Sequence, residues 1–306
     1  MVMSLRWTAL SASVRGASHE KTGQGNQDAV RLHNPCGADD VLLLAMADGH
    51  GSTRSFRSDR GSAMAAECAL REMNRLIRRL GPDAPLSRVR NQAHARWPKD
   101  LIASWKAAVR ADLTTNPFTF FDFAAFPDAP PVVTPGRDLP ISAYLAYGAT
   151  LVTVAITPRY ILYSQLGDGD ILTVCSNGLV NRPLPRQHEF MANQTISLCS
   201  MNAATEFQIR VDPVRGPMPA LVMLSTDGYA NCFGDDEAFH QVAADFLAYL
   251  RTEGPGFVQD KLEEWLRQSS RDGSGDDITV GLAARTNALL LSDHHPTPDP
   301  DGPLPA

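Results

Sequence analysis

Residues 41–51 read VLLLAMADGHG. Val41–Ala47 is an unbroken apolar run of strand length, and it stops at the turn-forming cluster Asp48-Gly49-His50-Gly51. The same junction recurs along the chain. Tyr160–Leu166 leads into Gly167-Asp168, Leu221–Ser225 leads into Thr226-Asp227-Gly228, and Gly275-Asp276-Asp277 leads into Ile278–Leu282. A single Asp-Gly pair is an ordinary turn. Four of them flanking apolar strands form a pattern that turns alone do not require.

A carboxylate at a strand end stands on fixed backbone. Several gathered at one end of a sandwich repel one another at short range and need a compensating cation. Oxygen-only donors suit the hard ions Mg²⁺ and Mn²⁺. Two such ions about 3.5–4 Å apart can share a bridging carboxylate and activate a water between them, an arrangement used to hydrolyse phosphate esters. His50, two residues after Asp48, could then protonate a leaving alkoxide. Taken alone, it would read as a turn histidine bonded to backbone.

Working outward, a helix follows the Asp48 cluster through Leu80, with Leu70, Met73, Ile77 and Leu80 on one face and Gly81-Pro82 ending it. A second helix is predicted over Pro98–Leu113, with Pro98 in its first turn. Residues 114–140 hold Phe118, Phe120, Phe121, Phe123 and Phe126 among six prolines and read as a long loop or insertion whose aromatics pack on the body. Leu151–Ile156, Tyr160–Leu166 and Ile171–Val174 are separated by short turns, which predicts an antiparallel meander. Residues 181–219 read as irregular. Helices are predicted at Glu237–Arg251 and Phe257–Ser270, and a last strand at Ile278–Leu282. Paired helices between groups of hairpin-prone strands predict an α+β protein with helices covering antiparallel sheets.

The chain has 306 residues, which suggests two domains or one large layered one at roughly 150 residues per domain. It carries 28 Lys+Arg against 34 Asp+Glu, a net charge of -6, which excludes a strongly basic nucleic-acid binder. Five scattered cysteines, at 36, 68, 175, 199 and 232, lack CxxC spacing, so neither a disulfide framework nor a zinc site is expected. No apolar run approaches the roughly 20 residues of a membrane span, and MVMSLRWTAL lacks signal-peptide features. A cytoplasmic protein is the expectation.

Asp48-Gly49-His50-Gly51, Gly148-Ala149-Thr150, Gly167-Asp168-Gly169-Asp170, Thr226-Asp227-Gly228 and Asp276-Asp277-Ile278-Thr279-Val280 occur in the order of the metal-dependent serine/threonine protein phosphatases, the type 2C or PPM family. Asn26-Gln27-Asp28 resembles that family's Asn-Glu-Asp segment, and the resemblance runs from about Gly16 to Leu282. It implies a four-layer α-β-β-α sandwich, with a catalytic domain over 1–286, an insertion near 114–140, a substrate-shaping flap near 181–219 and a disordered tail over 287–306. It also implies two Mn²⁺ or Mg²⁺ ions. Asp48 would bridge them, the Gly49 carbonyl would bind one, and Asp227 and Asp276 would ligate the other. Asp168 matches the aspartate of a third, weaker site. Asp28, Gln27 and Asp277 would hold metal-bound waters, and His50 would be the general acid.

The chain departs from the family pattern in three places. Gln27 stands where the family commonly has Glu, which predicts altered metal affinity. Gly23 stands where the family often has a phosphate-binding Arg, leaving His19 or Lys21 as substitutes. Ser52 replaces a second Gly. The Gly16-Ala17-Ser18-His19 segment with Asn26-Gln27-Asp28 resembles a bacterial branch. The expected activity is hydrolysis of phosphoserine and phosphothreonine esters by a metal-bridging hydroxide. The enzyme would act as a monomer on phosphoproteins made by a serine/threonine kinase, without nucleic-acid or membrane partners. Two rivals stand beside it: a non-catalytic, phosphoprotein-binding relative, and a metal-dependent phosphatase of small phosphate esters.

Overall fold

The computed structural model describes residues 6–34, 41–120, 122, 139–186 and 196–290. In chain order, the first half forms β1 (Trp7–Val14), α1 (Ala17–Thr22), β2 (Ala29–His33), β3 (Leu42–Ala47), α2 (Ser58–Leu80), α3 (Leu86–Thr115) and α4 (Ile141–Leu145). Then come β4 (Leu151–Ile156), β5 (Tyr160–Leu166), β6 (Asp170–Val174), β7 (Val180–Asn181), α5 (Ala203–Glu206) and β8 (Gln208–Pro213). The chain continues through β9 (Leu221–Ser225), α6 (Asp227–Ala230), α7 (Asp236–Thr252), α8 (Gly254–Asp272), β10 (Ile278–Arg285) and α9 (Thr286–Leu289).

The strands make two antiparallel sheets, ordered β1-β10-β9-β6-β7 and β2-β3-β4-β5-β8. Leu42, Leu44, Met46, Val152 and Val154 of one sheet meet Ile171, Val222, Leu224 and Ala283 of the other in a shared core. The outer face of the second sheet is covered by α2 and α3, through Leu43, Ala45, Met73 and Trp105. The outer face of the first is covered by α7 and α8, through Leu172, Met223, Phe246 and Leu262. This is the expected α+β sandwich of four layers. Every residue of β3, β4, β5 and β9 is buried, which is why these strands read as unbroken apolar runs rather than alternating ones.

Three expectations are corrected. The meander fails after β5. β4 and β5 pair as a hairpin, but β6 pairs with β7 and β9 in the opposite sheet. The turn between them is therefore a crossover, made at Gly167, whose φ of 98° a side chain would strain. The second correction concerns α3, which starts at Leu86 and carries Pro98 in its interior. An interior proline costs about 3 kcal/mol. Offsetting that, Val89, Ala93, Trp97, Leu101, Trp105, Val109 and Leu113 recur every four residues and are all buried. Third, residues 181–219 are not wholly irregular, because β8 extends the second sheet from the edge of β5.

Within that flap segment, 187–195 lies outside the described residues, as do Phe121, Phe123, Phe126 and most of the 114–140 insertion. Of the insertion's aromatics, Phe118 packs on Phe56 at 5.6 Å between ring centroids and Phe120 is exposed. At the C-terminal end Thr286–Leu289 is helical, and residues 291–306 lie outside the described residues.

Candidate active site

Strand register brings the marked junctions to one rim. In one sheet Val14 pairs with Ile278, and Ser225 pairs with both Val280 and Asp170. In the other, Ala29 pairs with Ala47 and Leu151 with Leu166. The acidic residues stand one or two positions beyond these ends: Asp28 before β2, Asp48 after β3, Asp168 after β5, Asp227 after β9, and Asp276 and Asp277 before β10. All but Asp28 line a cavity of about 180 Å³, together with Gln27, Gly49, His50, Gly51 and Thr150. No lysine or arginine is among those lining residues.

The backbone around Asp48 is fixed on both sides. Its carbonyl accepts the Thr150 N–H at 2.8 Å, its N–H meets Thr150 Oγ1 at 3.4 Å, and the Gly49 N–H donates to the Gln27 carbonyl at 3.1 Å. The His50 N–H donates to the Gly148 carbonyl at 3.1 Å. Gly148-Ala149-Thr150 is therefore the bracket that holds the Asp48–His50 turn. Asp277 spans the two sheets' ends, accepting the Gly16 N–H on Oδ1 and the Gln27 N–H on Oδ2, each at 2.6 Å. Asp28 accepts from Thr226 Oγ1 at 2.8 Å, and its other oxygen is buried with no hydrogen-bond partner among the described residues. Ser62, whose hydroxyl donates to the Gln27 carbonyl at 2.5 Å, was not singled out from sequence, and Thr226 was quoted only within the motif that carries Asp227. Isolated hydroxyls carry no sequence signal.

The electrostatics follow from crowding carboxylates in a buried place. Burial pushes the Asp28 carboxyl up to about 8, with the charges of Asp277 and Asp227 adding to the shift and the Thr226 hydrogen bond opposing it. Burial, then the neighbouring charges of Asp28 and Asp227, push Asp48 well above the usual carboxylate range. Asp276 is raised by burial as well. His50 is lowered by burial, against the pull of Asp227.

The residues divide into two groups with metal-ligating spacing. One carboxylate oxygen each from Asp48, Asp168 and Asp227 lie within 4.8 Å of one another. His19, Asp276 and Asp277 form a second group on the same criterion. Asp276 therefore stands with His19 and Asp277, while Asp168 stands with Asp48 and Asp227. The sequence expectation paired Asp227 with Asp276 and set Asp168 apart. An all-oxygen group of three half-buried carboxylates, with its charge repelling itself and no basic residue in the lining, fits a hard divalent cation. Neither His19 nor Lys21, the residues expected to take the place of a phosphate-binding Arg, is among the residues lining the cavity. His19 Nδ1 sits 3.0 Å from Asp277 Oδ1, and Lys21 is exposed on α1.

Comparison with known proteins agrees with the architecture. The solved structures similar to this chain include the serine/threonine phosphatase Stp1 from Staphylococcus aureus, at 14% identity and TM-score 0.54 over 93% of this chain and 98% of that one. The S. agalactiae serine/threonine phosphatase is 18% identical with TM-score 0.51, covering 91% and 99%. The catalytic domain of the phosphatase PstP, solved with two manganese ions, is 15% identical with TM-score 0.51, covering 92% and 98%. No curated protein sequence matches this one. The protein phosphatase 2C family matches residues 15–267. The match takes in the Asp48, Asp168 and Asp227 junctions and ends short of Asp276, and on its extent the chain belongs to the protein phosphatase 2C family.

Proposed function

We propose that this chain hydrolyses phosphoserine and phosphothreonine esters of proteins in a reaction that depends on divalent metal. The observation that carries this reading is the group Asp48, Asp168 and Asp227, with carboxylate oxygens within 4.8 Å of one another, lining one cavity with His50. Asp48, Asp227, Asp168 and Asp276, with the Gly49 carbonyl, are the residues that would hold two Mn²⁺ or Mg²⁺ ions. Such ions supply positive charge to the phosphoryl oxygens and acidify a water. Asp28 and Gln27 would support them from behind.

The protein's own groups supply the rest. His50 faces the cavity on a turn that Gly148 holds in place. Burial lowers its pKa, so a proton it carries is readily passed to a departing serine or threonine oxygen. The 181–219 segment, whose Cys199 Sγ approaches Gly148 beside His50, would shape which phosphoester reaches this group. Cys68, Cys175, Cys199 and Cys232 are all free, which supports a reducing, cytoplasmic setting. None of the described helices is long and apolar enough to cross a membrane.

The test supplies Mn²⁺ and compares phosphothreonine and phosphoserine peptides with small phosphate metabolites, with and without EDTA. The expected result is EDTA-sensitive phosphate release that favours peptides. No metal-dependent release overturns the reading, and a preference for metabolites replaces its substrate class.

A further inference from the structure

One nitrogen stands among the carboxylates of this rim. His19 Nδ1 lies 3.0 Å from Asp277 Oδ1, and with a carboxylate oxygen of Asp276 the three atoms fall within 4.8 Å of one another. His19 Nδ1 is buried and has no partner in hydrogen-bond geometry among the described residues. The contact with Asp277 thus brings two electron-rich atoms together with no proton aligned between them. Ligands about 2.1 Å from one ion and at right angles to each other are roughly 3 Å apart. The spacing of Nδ1 and Oδ1 is that of two neighbouring ligands on one cation.

Backbone contacts between distant segments set this placement. The Gly16 N–H donates to Asp277 Oδ1 at 2.6 Å, the Ala17 N–H to Ser270 Oγ at 3.0 Å, and the Ser18 N–H to the Gly275 carbonyl at 2.8 Å. Ser270 Oγ in turn donates to the Asp276 carbonyl at 2.9 Å. The approach is so close that a Cβ on Gly16 would fall 2.4 Å from the Asp276 carbonyl carbon. His19 therefore has little freedom to move away from the two aspartates, and the group is organised before any ligand arrives.

We propose that His19 is a nitrogen ligand to a divalent first-row transition metal held with Asp276 and Asp277, a position that rests on the metal-dependent reading above. Two carboxylates and a neutral imidazole carry a charge of -2 between them, matching one divalent ion, and the neutral Gln27 side chain nearby adds no further charge. The ring proton then belongs on Nε2, leaving the Nδ1 lone pair for the metal. Imidazole favours Mn²⁺, Fe²⁺, Co²⁺ or Zn²⁺ over Mg²⁺, which prefers oxygen and water. Asp276 and Asp277 both line the cavity, so an ion bound here faces the same space as Asp48 and Asp227. The position is thereby selective for a softer ion than the all-oxygen group beside it.

Pulsed electron paramagnetic resonance of the Mn²⁺-loaded protein tests this directly, because nitrogen bound to Mn²⁺ modulates the signal. The wild type and His50→Gln are expected to show nitrogen coupling, and His19→Gln to lose it. Coupling that survives His19→Gln, or disappears in His50→Gln, overturns the proposal. So does bound Mn²⁺ without any nitrogen coupling in the wild type, an outcome that leaves the phosphatase reading intact. No Mn²⁺ binding at all overturns both. Calorimetric titration adds a second readout. His19→Gln should weaken one Mn²⁺ site roughly 10–100-fold, the scale seen when a metal site loses a supporting group, and change Mg²⁺ binding much less. Equal losses for both ions contradict the nitrogen-ligand assignment. Circular dichroism of the chelated variant checks folding, and if His19→Gln does not fold, the His50→Gln spectrum alone decides.

Discussion

Gly148 closes on His50 so tightly that a Cβ there would fall 2.4 Å from the ring's Cδ2 and 3.2 Å from Cys199 Sγ. The Gly148 carbonyl also accepts the His50 N–H at 3.1 Å. The ring is thus positioned by a residue with no side chain. Gly148→Ala should displace the imidazole and lower kcat on phosphopeptides roughly 100-fold, the scale of a 1 Å misplacement, with an unchanged circular dichroism spectrum. Retained kcat would show that His50 does not need this position.

His50→Ala separates proton donation from simple packing. A serine or threonine alkoxide must be protonated as it leaves, and p-nitrophenolate needs little help. Loss on phosphopeptides should be on the order of 100-fold or more, with a clearly smaller loss on p-nitrophenyl phosphate. Equal losses on the two substrates argue against a general acid at this position.

Chelated protein should lose stability as pH rises. The folded-state Asp28 carboxyl is raised from 3.8 to about 8 by burial, so between those values the folded chain keeps a proton that the unfolded chain has released. Stability therefore falls with pH across that window, and Asp48, raised in the same direction, adds to the slope. In EDTA, Tm should be lower at about pH 8 than at about pH 5.5, and saturating Mn²⁺ should diminish the difference by supplying the missing positive charge. A Tm that does not fall over this range in EDTA contradicts the electrostatic account of the rim.

Arg57 ties the start of the 114–140 insertion to the segment that holds His50. Its guanidinium donates to the Asn116 carbonyl at 2.6 Å, Tyr147 Oη at 2.8 Å and Asp122 Oδ2 at 3.1 Å, and it stacks 4.8 Å from the Phe118 ring centroid. Only 11% of its side chain is exposed. Arg57→Ala should cost about 3 kcal/mol in denaturant unfolding, because Asp122 loses its cation and the Asn116 carbonyl its donor in a largely dry place. The same variant should speed proteolysis near residues 116–122. A change under about 0.5 kcal/mol would place the contact among ordinary surface pairs.

Much of the rim was legible because Asp48, Asp168, Asp227 and Asp276 each interrupt or precede a strand buried on both faces, a contrast that a sequence displays openly. The β5–β6 crossover was not, since a short Gly-Asp turn serves a hairpin and a sheet change equally well until strand partners are known. β8 was hidden because only Val211 of its six residues is fully buried, which removes the apolar signal. The upstream half of α3 was missed because Pro98 reads locally as a helix start, whereas the Val89–Ala93–Trp97 stripe continues through it. His19's neighbours could not be read at all, since Gly16 and Asp277, whose hydrogen bond helps to fix them, are 261 residues apart.

The central claim is that Asp48 and its neighbours hold the metal on which hydrolysis depends. The most direct measurement is Mn²⁺-dependent phosphate release from a phosphothreonine peptide by the wild type and by Asp48→Asn, with Mn²⁺ binding measured calorimetrically on the same samples. The account predicts that Asp48→Asn weakens Mn²⁺ binding and loses turnover together, at least about 100-fold in kcat. Turnover by Asp48→Asn at the wild-type rate, or wild-type turnover that persists in EDTA, would contradict it.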